Sequence, residues 1–334
     1  MWKLETGNRE PGITMRILIT GITGFVGGHL VEFLRAEGGH ELFGISRKGT
    51  WPTELAHLSG SAQLFTAELL DTNAIAAAIR AAQPEWVFHL AGFAHAGKSF
   101  QEPDRCWNDN LTGTRVLYDT IARSAFRPRI LFVSSGLIYG DLDNPSVACD
   151  EQTPLKPASP YAASKAAADL LSYQTTRSPG LDVIRVRMFN QIGPRQPADY
   201  ALANFARQIA AIEAGHQPPI LNTGDLSAER DVTDVRDMVS AFRRVIDLAP
   251  TGEVYNAGRG QTFTIRELLE RLVQLARVPV QIQSATHPGR KADTAFVRAD
   301  TTKLRTLTGW EPRYDLDQSL TDVLDYWRGV AARS

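Results

Sequence analysis

Cysteine is scarce in this 334-residue chain: Cys106 and Cys149 are the only two, far apart and without metal-type spacing. A disulfide-stapled secreted scaffold is therefore excluded, and a reduced cytoplasmic protein is the simple expectation. The seven histidines form no His-Glu-x-x-His or similar cluster, so no metal is expected. Charge of one sign is also lacking: 36 Lys and Arg stand against 37 Asp and Glu, a net charge of −1. Neither nucleic acid nor an anionic membrane is favoured, so any anionic ligand must be met by local arginines. No stretch approaches the roughly 20 apolar residues that span a bilayer. Residues 1–14 are polar, contain Pro11-Gly12 and lack the apolar centre of a secretory signal. They are expected to be a disordered extension, with folding from Met15 onward.

What is present is ordinary globular composition, 43% hydrophobic and 22% charged. Short β-branched runs at 16–20, 41–46, 63–66, 85–90, 129–134 and 182–188 alternate with helical patterns near 25–37, 72–82, 103–124 and 160–177. Apolar strands separated by helices predict an α/β fold, a doubly wound parallel sheet of Rossmann type with ligands at the strands' carboxyl ends. After Phe189 the texture changes to Pro, Gly, Asn and Arg punctuating helices near 202–214, 235–248, 265–276 and 319–332. A smaller α+β lobe over the strand ends is expected there.

The first strand runs into Gly21-Ile-Thr23-Gly24-Phe25-Val26-Gly27-Gly28 and then a helix. Glycines at these places allow a tight turn, approach of backbone amides to a pyrophosphate, and close helix–sheet packing. The phosphates would sit at the helix N-terminus. Residues 15–186 are thus the expected dinucleotide-binding domain, with 229–256 returning to it, and 187–228 and 257–334 form the substrate lobe. An acidic residue ending the second strand would favour NAD. The chain instead has Ser46-Arg47-Lys48, a hydroxyl and two cations suited to a 2′-phosphate. NADP(H) is expected, with NAD(H) as the alternative. Leu90-Ala91-Gly92 ends the fourth strand with small residues where a cofactor would cross, and His89 reads as a packed strand residue. Asn110, on the next helix, is placed toward the nicotinamide side.

Tyr161 precedes Lys165 by four residues, on a helix that Ser159 caps and Pro160 begins. The spacing sets both on one face. A nearby ammonium stabilises a phenolate and brings a phenol, whose ordinary pKa is about 10, toward use as an acid or base. The fifth strand ends in Ser134-Ser135, and a hydroxyl there can bind a substrate oxygen or simply cap the strand.

The glycine loop, the strand-end serine and Tyr-x-x-x-Lys, in this order, resemble the extended short-chain dehydrogenase/reductase family. Arg187-Met-Phe-Asn190, Arg230-Asp-Val-Thr-Asp-Val-Arg-Asp and Thr308-Gly-Trp-Glu-Pro are similar to its nucleotide-sugar branch. The resemblance implies Tyr161 as acid/base, Lys165 as its partner and ribose ligand, and Ser135, five residues before Gly140, as the carbonyl-binding hydroxyl. It also implies that Ser134, Arg187, Asn190, Arg195, Arg230 and Arg290 line the site of a nucleotide-diphosphate sugar. For the arginines, surface ion pairs are the alternative reading. A homodimer through 103–124 and 160–177 is implied as well.

Within that branch, 4,6-dehydratases carry an acidic pair after the catalytic hydroxyl, where this chain has Gly136 and Leu137. Elimination of water is therefore not expected. The pattern is most similar to reductases of GDP-4-keto-6-deoxy-D-mannose that form GDP-D-rhamnose, although those usually have His at the place of Gln191 and Gly at that of Arg195. The expected reaction is NADPH-dependent reduction of a C4 ketone. An NAD-dependent 4-epimerase is the alternative, and a non-catalytic NADP(H) sensor or scaffold is the reading from another class.

Overall fold

Five of the six residues of β1 (Met15–Thr20) are buried, because an apolar run flanked by helices on both sides has no wet face. The computed structural model describes residues 14–140, 142, 147–284 and 297–333. The expected extension at 1–14 thus lies, apart from Thr14, outside the described residues. α1 (Phe25–Glu37), β2 (His40–Ser46), β3 (Gln63–Thr66), α2 (Thr72–Ala82) and β4 (Trp86–His89) follow β1. Next come α3 (Pro103–Trp107), α4 (Gly113–Arg123), β5 (Arg129–Ser135), α5 (Pro160–Arg177) and β6 (Val183–Met188).

The remainder of the chain is β7 (Asn190–Ile192), α6 (Ala201–Glu213), β8 (Ile220–Thr223), β9 (Glu229–Asp234), α7 (Val235–Leu248), β10 (Val254–Ala257), β11 (Thr262–Thr264), α8 (Ile265–Gln274), β12 (Gln281–Ser284), α9 (Thr302–Thr308) and α10 (Leu316–Ala331).

Seven strands form one parallel sheet in the order β3-β2-β1-β4-β5-β6-β10. The order reverses between β1 and β4, and that switch point opens a crevice at the carboxyl ends of the strands. One face carries α1 and α7, packed through Leu30, Leu34, Met238 and Phe242. The other carries α2, α4 and α5, packed through Ile75, Ile79, Leu117 and Ala168. Each fully buried Leu or Ile contributes about 1.5–3 kcal/mol, so the sheet is a rigid platform for its loops.

The smaller lobe has a core of its own, built from α6, α8 and α10 around Phe205, Leu269 and Leu320. A three-stranded sheet, β11-β9-β7, and a β12-β8 pair accompany it. The segment boundaries differ from expectation in two places. β9 joins the small sheet, so the return to the large one begins at α7 rather than at 229. Trp310, expected in the lobe, is 1% exposed in the core beneath α7, where its Nε1 donates to the Asp237 carbonyl at 3.0 Å. An indole needs both a large apolar site and a hydrogen-bond acceptor, and α7 supplies both.

Candidate active site

The turn after β1 is a cradle that only glycine permits. A Cβ on Gly27 would sit 2.3 Å from the Gly21 carbonyl oxygen, and Gly21 itself has φ +71°. Thr23, Gly24, Phe25 and Val26 complete the turn, and no side chain caps the first amides of α1. These amides are donors left for an anion. At the end of β2, Ser46 is buried and its Oγ accepts from the Gly49 N–H at 3.0 Å. Arg47 and Lys48 are exposed beyond it, with no carboxylate between them and the strand end.

At the end of β4, His89 lies between Thr20 Oγ1 at 2.7 Å and Thr114 Oγ1 at 2.9 Å. Burial, with the Lys165 charge adding to it, pushes its pKa down to about 3. His89 is therefore a neutral structural residue. Thr20 Oγ1 also accepts from the Ala91 N–H at 3.1 Å, which fixes the course of Leu90, Ala91 and Gly92.

The expected helix at 103–124 contains a wider π-type turn at Asn108–Thr112. Such a bulge turns a side chain inward, and here it is Asn110, 1% exposed. Its Nδ2 donates to Ser164 Oγ at 2.9 Å, while its buried Oδ1 has no partner among the described residues. A Cβ on Gly92 would come within 2.5 Å of that oxygen. An orphan acceptor facing a bare glycine suits an approaching ligand group. Together the glycine turn, the basic strand end and this acceptor fit a dinucleotide.

Ser159 Oγ accepts from the Ala162 N–H at 3.2 Å and starts α5. Tyr161 is buried with Phe93 and Cys106, and Leu137 packs on the same cluster. One turn later Lys165 is 6% exposed, its Nζ donating to the Val133 carbonyl at 2.8 Å and lying 5.1 Å from the Phe132 ring centre. Burial lowers its pKa to about 8, and the nearby Cys106 and Asp169 partly oppose the change. Ser135 Oγ accepts from the Leu137 N–H at 3.2 Å, which leaves its own proton to donate. Ser134 Oγ is sealed from solvent without a partner among the described residues, and Ser135 beside it is also buried, 5% exposed.

Gly136 lies against Phe189: a Cβ there would be 2.8 Å from the ring. No side chain fits at position 136 without moving that wall. Phe189 was not singled out in the sequence, since a packing partner 53 positions away leaves no local signal.

The arginines divide into groups. Asn190 is exposed at the start of β7, and Arg230 lies partly exposed on β9 with its Nη1 donating to the Glu229 carbonyl at 2.8 Å. Arg290 lies outside the described residues. Arg187 is 5% exposed, and its Nε and Nη2 each donate to Asp169 at 3.2 Å. Arg195 is also engaged, its Nη2 2.7 Å from Glu32 on α1 and 3.1 Å from His29 Nδ1. Each guanidinium thus has a carboxylate within the chain, the buried Arg187 in Asp169 and the partly exposed Arg195 in Glu32. Arg185 and Arg187 two apart on a buried strand, with Asp169 four beyond Lys165, were the available signal.

Among the described residues, no helix is long and apolar enough to cross a membrane and no cluster of potential metal ligands occurs. The family model for GDP-mannose 4,6 dehydratase matches residues 18–323. The GDP-6-deoxy-D-mannose reductase of Pseudomonas aeruginosa is 33% identical over 315 residues, 94% of this chain and 98% of that protein. The UDP-glucose 4-epimerase of Mycolicibacterium smegmatis is 30% identical over 317 residues, 94% and 99% of the two chains. Among solved structures, RMD from P. aeruginosa complexed with NADPH superposes with a TM-score of 0.83 at 32% identity, covering 95% of this chain and 99% of that one. The Thermus thermophilus UDP-glucose 4-epimerase complexed with NAD reaches 0.84 at 29% identity, covering 94% and 99%. The chain belongs to the GDP-mannose 4,6 dehydratase family, as an enzyme on the extended short-chain dehydrogenase/reductase fold.

Proposed function

We propose that this enzyme reduces the C4 ketone of a nucleotide-linked 4-keto-6-deoxyhexose with NADPH, and that GDP-4-keto-6-deoxy-D-mannose is the substrate and GDP-D-rhamnose the product. One observation carries the choice of reduction over elimination: Gly136, packed against Phe189, and Leu137 follow Ser135, so neither position supplies an acid. The exposed Arg47 and Lys48 ending β2 support NADP(H), since a 2′-phosphate needs charge-assisted donors. The reductase of P. aeruginosa supports the GDP-sugar.

When bound, NADPH supplies the hydride. Ser135 donates its free proton to the ketone oxygen, and Tyr161 delivers a proton as that oxygen becomes an alkoxide. Lys165 favours the phenolate left behind and is placed to hold the nicotinamide ribose. Thr23, Gly24 and their neighbours hold the pyrophosphate, while Asn110 Oδ1 accepts from the nicotinamide side. Asn190 and Arg230 face the sugar diphosphate. A homodimer through residues 103–124 (α3 and α4) and 160–177 (α5) is part of the same reading, supported by the exposure of Trp107, Leu170 and Tyr173 there. The unpaired buried thiols of Cys106 and Cys149 accord with a reducing cytoplasm.

The test is NADPH oxidation with GDP-, dTDP-, UDP- and CDP-4-keto-6-deoxyhexoses, with the GDP-sugar preferred. The similarity to UDP-glucose 4-epimerases keeps a second reading open, a 4-epimerase holding NAD. Tightly bound NAD in the purified protein, with no net NADPH oxidation, would establish that one instead. Nucleotide binding with neither reaction would indicate a non-catalytic sensor.

A further inference from the structure

Asp169 on α5 satisfies two buried guanidinia, Arg185 Nη1 at 2.9 Å and Arg187 at 3.2 Å. One arginine would suffice to neutralise it, and buried ion pairs are weak sources of stability. The second arginine has a further contact. Arg187 Nη1 donates to the Tyr139 hydroxyl at 3.0 Å and to the Glu151 carbonyl at 3.1 Å, and its guanidinium lies 5.2 Å from the Tyr139 ring centre. The Tyr139 hydroxyl in turn donates to Asn256 Oδ1 on β10 at 2.6 Å. Burial pushes that phenol well above its ordinary range, so it stays a neutral donor.

These contacts join the two elements that carry the chemistry. Tyr139 ends the single 3₁₀ turn, Gly136–Tyr139, that Ser135 caps. Asp169 lies one helical turn beyond Lys165, itself one turn beyond Tyr161, so all three share a face of α5. Arg187 stands between them on β6, in register with Ser134, while Met188 is in register with Ser135.

We infer that Arg187 and Tyr139 are positioning residues, whose hydrogen bond locks the Ser135 turn to the Tyr161–Lys165 helix and so sets the separation of the two proton donors. Both donors must reach one ketone oxygen, and a 1 Å misplacement of reacting groups costs about 100-fold in rate. The inference rests on the reductase reading.

Three variants test it: Tyr139→Phe, Arg187→Lys and Arg185→Lys. Arg185 also pairs with Asp169, but its other bond goes to the Gly252 carbonyl at 2.8 Å, away from Ser135. Tyr139→Phe and Arg187→Lys should lower kcat about 10- to 100-fold. KM for the sugar nucleotide and Kd for NADPH should stay within about threefold, because no binding contact is removed. Arg185→Lys should lower Tm comparably to Arg187→Lys yet keep kcat within about threefold. Wild-type kcat in Tyr139→Phe, or an equal kcat loss in Arg185→Lys, would overturn the inference. If the wild-type enzyme oxidises NADPH with none of the keto-sugars, the reductase reading fails by itself. Crystal structures of wild type and Tyr139→Phe then decide: a change of at least about 0.5 Å between Ser135 Oγ and Tyr161 Oη supports the lock, and an unchanged distance refutes it.

Discussion

Replacing Lys165 by Met separates what its ammonium does for catalysis from what it does to stability. The side chain is fully enclosed, and burial holds its pKa down to about 8 against an ordinary 10.5. That gap corresponds to about 3 kcal/mol by which the charged form weakens the folded state. Below pH 8 folded and unfolded chains both carry the proton, and the penalty is complete. Between pH 8 and 10.5 the folded chain releases its proton first, so the unfolded chain binds more protons and stability rises with pH. Above 10.5 the penalty is gone.

Met at this position lacks that dependence. It also deprives the Val133 carbonyl of its 2.8 Å donor, a loss of about 1–3 kcal/mol that does not vary with pH. At pH 7 the variant should therefore be within about 2 kcal/mol of wild type, in spite of losing a buried hydrogen bond. The informative quantity is the difference between the two urea-unfolding curves, followed by tryptophan fluorescence from pH 7 to 10.5. Wild type should gain about 3 kcal/mol on the variant across this window, while the variant's kcat is lower by about 10²–10⁴-fold. Parallel stability curves would refute the buried, destabilised ammonium, and near-normal turnover would refute its catalytic role.

Tyr161→Phe should lose about 10²–10⁴-fold in kcat in the NADPH oxidation assay; normal turnover would sink the mechanism. Arg47→Ala should raise KM for NADPH about tenfold or more and leave NADH nearly unchanged, as measured by initial rates. Gly136→Asp should destabilise by about 2–4 kcal/mol in urea, because the new Cβ meets Phe189 at 2.8 Å and a carboxylate is buried beside it. A fully stable variant that eliminates water would contradict the account of the wall. At Glu32, burial works to raise the carboxyl, but His29, Arg195 and His57 outweigh it and hold it down to about 2. Its contribution is present above about pH 4.5 and is lost as pH falls toward 2. Wild type should exceed Glu32→Gln by about 1 kcal/mol at pH 6, after screening at a partly exposed site, and the difference should vanish as pH falls through 2.

Local chemistry made much of this protein legible. The period of apolar runs, the glycine turn, Ser159-Pro160 and the four-residue step from Tyr161 to Lys165 are short-range patterns, and their physics is contained in a few neighbouring residues. They determine the parallel sheet, the cradle after β1 and the helix that carries Tyr161 and Lys165 on one face. The arginines show where this stops. Arg187 and Arg195 look alike as residue types, yet the fold gives the first to the buried Asp169 and the second to Glu32 on α1. A guanidinium's role depends on whether a carboxylate reaches it, and those carboxylates lie 18 and 163 positions away. The same holds for Gly136 and for the π-type turn at Asn110. By itself the sequence determined which groups were available for chemistry; only the tertiary structure decided which face the crevice and which hold it in place, because burial and pairing are properties of neighbours in space.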